Sequence, residues 1–174
     1  MPTSPPRGEL DFLKKAENFA ELRTRLNSLG LTSDLALLNE YASHIAECWF
    51  KLGEQHLTDA RAALSAVLVR TVFSRTYYAV YNVSKAVRYM NSGSVSLKGD
   101  DHKAAPDLPA DFVDVAMWSR IITTLYEHRL RADYDNWLGT ASSHTLSPSD
   151  AVVYSGDFIR EARKHLKVKH GVNV

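Results

Sequence analysis

Residues 69–90 read VRTVFSRTYYAVYNVSKAVRYM, and this stretch decides the fold. Val69, Val72, Thr76, Val80, Val83, Val87 and Met90 recur at helical spacing, with Phe73, Ala79 and Ala86 widening the stripe. Arg75, Tyr78, Asn82, Lys85 and Tyr89 occupy the other side. The pattern predicts an amphipathic helix with an apolar face and an aromatic, basic outer face. An apolar stripe of this length must be covered, so partner helices are expected on both sides in the chain.

Upstream, Thr32, Ser33 and Asp34 offer N-caps for a longer helix whose apolar positions include Leu37, Leu38, Tyr41, Ile45, Cys48, Trp49, Leu52, Leu57, Ala60, Leu64 and Val67. Gly53 is expected to loosen its middle. A bend is expected within 66–70, because a straight helix through Met90 would leave its stripe nothing to pack against. Before it, Leu10, Leu13, Ala16, Phe19, Ala20, Leu22, Leu26 and Leu29 outline a peripheral helix closed by Gly30, preceded by a loose Pro-rich tail over 1–8.

Downstream, Asn91 to Pro109 reads as a loop. Asp111 is placed to cap a third core helix with Phe112, Val115, Ile122, Leu125 and Tyr126 facing inward, ending between Arg129 and Asn136. After a polar loop over 139–147, Pro148 follows Ser147 at a first helical position, with Asp150 in the first turn. The last helix carries Ala151, Val152, Tyr154, Phe158, Ile159, Ala162 and Leu166 on its apolar side and ends in a basic run. No segment alternates as a strand would. The expected fold is all-α: an up-and-down bundle of four core helices over 31–174, with a tail and peripheral helix over 1–30.

Composition narrows function by exclusion. With 174 residues, 45% hydrophobic and 24% charged, the chain suits one globular domain. A net charge of +1 makes the whole chain no trap for nucleic acid, so any RNA contact must come from a local patch. One cysteine, Cys48, excludes an internal disulfide and a thiolate metal cluster. His44 and His56 are too far apart to share a helical face, so no metal and no cofactor are expected. The start lacks a signal-peptide core, and Ala62 to Val69 is too short to span a bilayer. A cytoplasmic protein without a membrane partner is expected. Trp49, Trp118 and Trp137 read as core or interface anchors.

Two segments carry a family resemblance. SRTYYAVYNVSKA over 74–86 resembles the second helix of bacterial HEPN-domain proteins, and RLRADYD over 129–135 resembles their Arg-x-x-Ala-Asp-Tyr segment. His102 sits about where those proteins carry a His, and the similarity spans roughly 40–168. The resemblance implies a helical bundle, commonly dimeric, of a toxin–antitoxin or anti-phage defence system. Active members are metal-independent ribonucleases using an Arg-x(4–6)-His pair, in which Arg holds the scissile phosphate and His moves a proton. Five residues after Arg129 this chain has Tyr134 instead of His. The catalytic candidates are therefore Arg129, Tyr134, His102 and His128, and the RNA-binding candidates Arg131, Arg75, Tyr78 and Lys85. Arg-x(4)-His and Arg-x(6)-His spacings also occur at Arg160/His165 and Arg163/His170, outside the family's position for the pair. The competing reading is a non-catalytic adaptor that binds a partner nucleotidyltransferase or nuclease effector. A third makes Tyr134 an acceptor of nucleotidylation. For Arg129, Asp133 and Tyr134 the plain structural reading is a helix-end cap.

Overall fold

The computed structural model describes residues 19–93, 95–96, 101–134 and 145–174. Six helices occur among them: α1 Phe19–Ser28, α2 Thr32–Ser65, α3 Val69–Ser92, α4 Asp101–Ala104, α5 Val115–Tyr134 and α6 Pro148–His170. No strand occurs among the described residues. The expected tail over 1–8, the first part of the N-terminal stripe, Trp137 and most of the polar loop over 139–147 lie outside them.

α3 is the centre. It packs on α2, α5 and α6, and its whole apolar stripe from Val72 to Met90 is buried. Contact pairs give the directions. Trp49 meets Tyr89 while His56 meets Arg75, so α2 and α3 run antiparallel. Arg70 donates to the Ala132 carbonyl while Tyr77 meets Tyr126, so α3 and α5 do too. Arg163 reaches Glu54 while Gly156 lies against Arg61, which sets α6 antiparallel to α2. The result is the up-and-down bundle that the periodicity predicts, with short α1 laid against α2.

Local chemistry explains some boundaries, although α2 starts after Leu31 with no side-chain cap from the expected Thr32, Ser33 or Asp34. At the start of α6, Ser147 Oγ accepts from the Asp150 amide at 3.0 Å and Pro148 takes the first turn. Gly93 ends α3 at φ 72°, where a Cβ would stand 2.6 Å from the Ala20 nitrogen, so its bare backbone also admits α1. The bend expected near 66–70 is a three-residue connection between α2 and α3. Its centre is Val67 at φ 59°, 79% exposed. A β-branched residue is strained there, and nothing in its own chain covers it. Val67→Gly is expected to raise stability by about 1 kcal/mol, read as a higher midpoint in urea.

Several expectations are corrected. Gly53 does not loosen α2. It lets α3 approach: a Cβ there would be 2.5 Å from Val83 Cγ2 and 2.8 Å from the Ala79 carbonyl oxygen. Leu37, Cys48 and Leu52, placed on the apolar stripe of α2, are exposed. α5 begins at Val115 rather than at Asp111; Asp111 is exposed and pairs with Lys169 at 2.7 Å, while Asp114 takes a positive φ of 48° at the helix start. Phe112 is buried as expected, from a turn ahead of the helix. Tyr154 points out. The segment between α3 and α5 contains the short α4.

The largest correction concerns the outer face of α3, where Asn82, Lys85 and Tyr89 are buried. α4 covers it. Asp101 is 2% exposed and takes a two-toothed hydrogen bond from Arg88, Nη1 to Oδ1 at 3.1 Å and Nη2 to Oδ2 at 3.0 Å. Lys85 Nζ lies 3.4 Å from the same carboxylate, donates to the Ser96 carbonyl, and sits 5.3 Å from the centre of the Trp49 ring. Burial alone would raise the Asp101 carboxyl. Arg88 and then Lys85 outweigh it and hold the group below the ordinary carboxylate range.

Candidate functional site

Four helices bring polar aromatic side chains to one place. α3 contributes Tyr77, Tyr78 and Tyr81, which share one side of the helix because their spacing is close to one turn. α5 adds Tyr126 and Arg129, α4 adds His102, and α2 adds His56. Tyr77 is the centre: its ring lies 5.2 Å from Tyr126, 5.6 Å from Tyr78, 5.9 Å from Tyr81 and 5.7 Å from His102. His102 packs closest on Tyr81, at 4.4 Å.

Arg129 lies between two phenols. Its Cζ is 5.4 Å from the Tyr78 ring centre and 5.2 Å from that of Tyr134, and Nη2 donates to Tyr78 Oη at 2.8 Å. Nε is 2.7 Å from Asp133 Oδ2, an ion pair whose N–H is not aligned on the oxygen. These contacts combine the structural reading, an Arg129–Asp133 pair one turn apart, with the proposed meeting of guanidinium and phenol. The Arg129 side chain keeps only 12% of its exposure, whereas Tyr134 is 67% exposed. The phenol is open and the guanidinium is mostly covered by it.

The imidazoles divide into two kinds. Tyr77 Oη lies 2.8 Å from His102 Nδ1. Burial pushes the Tyr77 phenol well above its ordinary range, so it stays protonated and Nε2 is the His102 nitrogen that Tyr77 leaves unengaged. Burial, then Arg129, lowers the His102 imidazole, which is therefore neutral near pH 7 and chemically suited to accept a proton. His56 is similar: Arg75 Nη1 donates to its Nδ1 at 3.2 Å, and burial followed by Arg75 lowers it.

His128 is different. It is 1% exposed, stacked on Phe73 at 5.0 Å, and its Nε2 accepts from the Leu146 amide at 3.3 Å beside Thr145 Oγ1 at 3.1 Å. It stands apart from the tyrosine cluster. It faces the core and fastens the approach to α6, because adjacent helical positions point about 100° apart and Arg129 takes the other side. Lys85, an RNA-binding candidate, is buried among Asp101, Trp49 and Tyr81. Arg131 is exposed on the last turn of α5. Arg160 and Arg163, the other Arg-x-His candidates, serve ion pairs with Asp157 and Glu161 and with Glu54.

No family model, curated protein or solved structure matches the chain. Among the described residues, no group of three or more His, Cys, Asp or Glu side chains is placed to hold a metal ion, and no helix is long and apolar enough to cross a membrane. Tyr77 and Tyr78 read from the sequence as a pair lining the groove beside Arg129, whereas Tyr81, Tyr126 and His56 were missed as members of the cluster. The signal was available for Tyr81, one turn from Tyr77, but not for a histidine arriving from another helix.

Proposed function

We propose that the protein is a HEPN-like bundle of a bacterial toxin–antitoxin or anti-phage defence system, directed at RNA, in which Arg129 meets a phosphate and His102 handles a proton. The observation that carries this reading is the convergence of Arg129 and a neutral-leaning His102, from separate helices, on the same tyrosine cluster. Nη1 is the guanidinium nitrogen that the contacts to Tyr78 and Asp133 do not use, and exposed Arg131 extends the positive edge. Tyr134, on the solvent side of Arg129, offers an aromatic face for a base and a hydroxyl for a phosphate oxygen. In the cleavage this implies, His102 donates Nδ1–H to Tyr77 Oη and draws a proton through Nε2 from a ribose 2′-hydroxyl, whose oxygen attacks phosphorus as the bond to the 5′-oxygen breaks and that oxygen takes a proton from water. A dimer would place two such edges in one cleft.

Purified protein with end-labelled total RNA in chelator tests this. Arg129→Ala is expected to lower cleavage about 10²-fold, as losing a charge-stabilising donor does, and His102→Ala comparably, with far-UV circular dichroism unchanged. Unaltered cleavage in both folded variants would refute the assignment.

The second reading is the adaptor that binds a nucleotidyltransferase or effector. The covering of Arg129 by Tyr134 favours it, and the open phenol is placed for enzymatic modification. RNA inertness together with a stable complex with a neighbour-encoded protein supports this alternative.

A further inference from the structure

Away from the tyrosine cluster, the end of α6 holds a second pair of imidazoles. His165 is 8% exposed, and its ring centre lies 5.8 Å from that of His170, with the planes inclined at 57°. Nε2 of each ring is buried and has no hydrogen-bond partner among the described residues. A buried imidazole nitrogen without a partner loses its hydration and gains nothing in return. Two such atoms on neighbouring rings are a stronger sign of a missing ligand than one. His165, but not His170, also lines a surface cavity of about 180 Å³ with Asp111, Glu161, Lys164 and Lys169.

We infer that His165 and His170 form a two-imidazole site for a borderline divalent transition-metal ion such as Zn2+. The spacing fits. With Zn–N near 2.1 Å and the ring centre about 1.1 Å behind the nitrogen, two imidazoles on a tetrahedral ion have centres about 5.2 Å apart, so a small rotamer adjustment closes the observed 5.8 Å. Burial lowers both imidazoles, assisted at His170 by His165 itself, while Asp111 opposes the shift on each. Lys169 and, at His170, Arg23 are the cations that face the pair. Asp111 is paired with Lys169 at 2.7 Å and does not complete a three-ligand group with the two rings. The remaining positions fall to water or an incoming donor. This pair escapes a search of the sequence because a separation of five residues is not a helical ligand spacing; His170 closes α6 and lies beside its last turn.

Titration of the full chain with Zn2+ by calorimetry, and with Co2+ by visible absorption, tests the inference. One equivalent is expected to bind, with nitrogen-ligand d–d bands for Co2+. His165→Gln and His170→Gln should each weaken binding about tenfold or more, whereas His44→Gln should not. The metal-free melting temperature and circular dichroism of each variant establish that it is folded. Absence of one-equivalent binding at about 100 μM metal overturns the site. So does binding that survives both substitutions, since the ion would then sit on surface histidines.

Discussion

Asp101→Asn should cost about 3–5 kcal/mol, the range found when one member of a buried ion pair is removed. The carboxylate is 2% exposed and serves Arg88 and Lys85, whose side chains are 8% and 9% exposed. An asparagine keeps the shape and one acceptor but leaves two cations covered by Trp49, Tyr81 and the α4 turn, with no charge to answer them. The effect is a penalty of separation and not the net worth of the network. Exchanging all three together, Asp101→Leu with Lys85→Met and Arg88→Met, is therefore expected to recover most of the loss. The pH dependence follows from the direction of the shift. The folded carboxyl lies below its unfolded range, so its contribution is complete above about pH 4 and fades as acid carries the solution through the folded value. Urea unfolding at neutral pH and at about pH 3 should show the gap between parent and Asp101→Asn narrowing in acid. A constant gap would mean that the charge on Asp101 is not what matters.

Gly53→Val is expected to be nearly as damaging, about 3 kcal/mol, the upper end of the overpacking range. Ordinary helix propensity argues the other way, because glycine inside a helix is worth about 1 kcal/mol less than alanine. The decision rests on what the new atoms meet. A Cβ would be 2.5 Å from Val83 Cγ2, which can move or be trimmed, and 2.8 Å from the Ala79 carbonyl, which cannot. Val83→Ala in the Gly53→Val background should therefore restore part of the stability and no more. Full rescue would show that the backbones of α2 and α3 have room to separate, and chemical denaturation of the three variants distinguishes these results.

The sequence made the bundle legible wherever one face was continuously apolar. The stripe of α3 and the capping of α6 by Ser147 and Pro148 needed only local rules. What it concealed was the second layer on α3. Asn82, Lys85 and Tyr89 read as a solvent face, and the segment covering Lys85 has no apolar period because it meets it with Asp101. A charge answered by another charge 13 residues away leaves no periodic mark. The candidate site shows the same boundary. Arg129 and Tyr134 were visible as a motif and do meet, but the division of labour between His102 and His128 depends on which side of α5 each neighbour occupies. Gly53 was misread for a related reason: the need for a missing side chain lies on the partner helix.

The three-residue join between α2 and α3 also bears on how the chain reaches this arrangement. Closing so short a loop costs little entropy, and the two longest helices then zip along a shared seam with contacts near in sequence. α5 and α6 arrive later, in synthesis as in space, and each finds a side of α3 already presented. The hairpin thus acts as a template on which the C-terminal half is cast, and the tyrosine cluster and the paired histidines near the C-terminus come into being only at the end of that assembly.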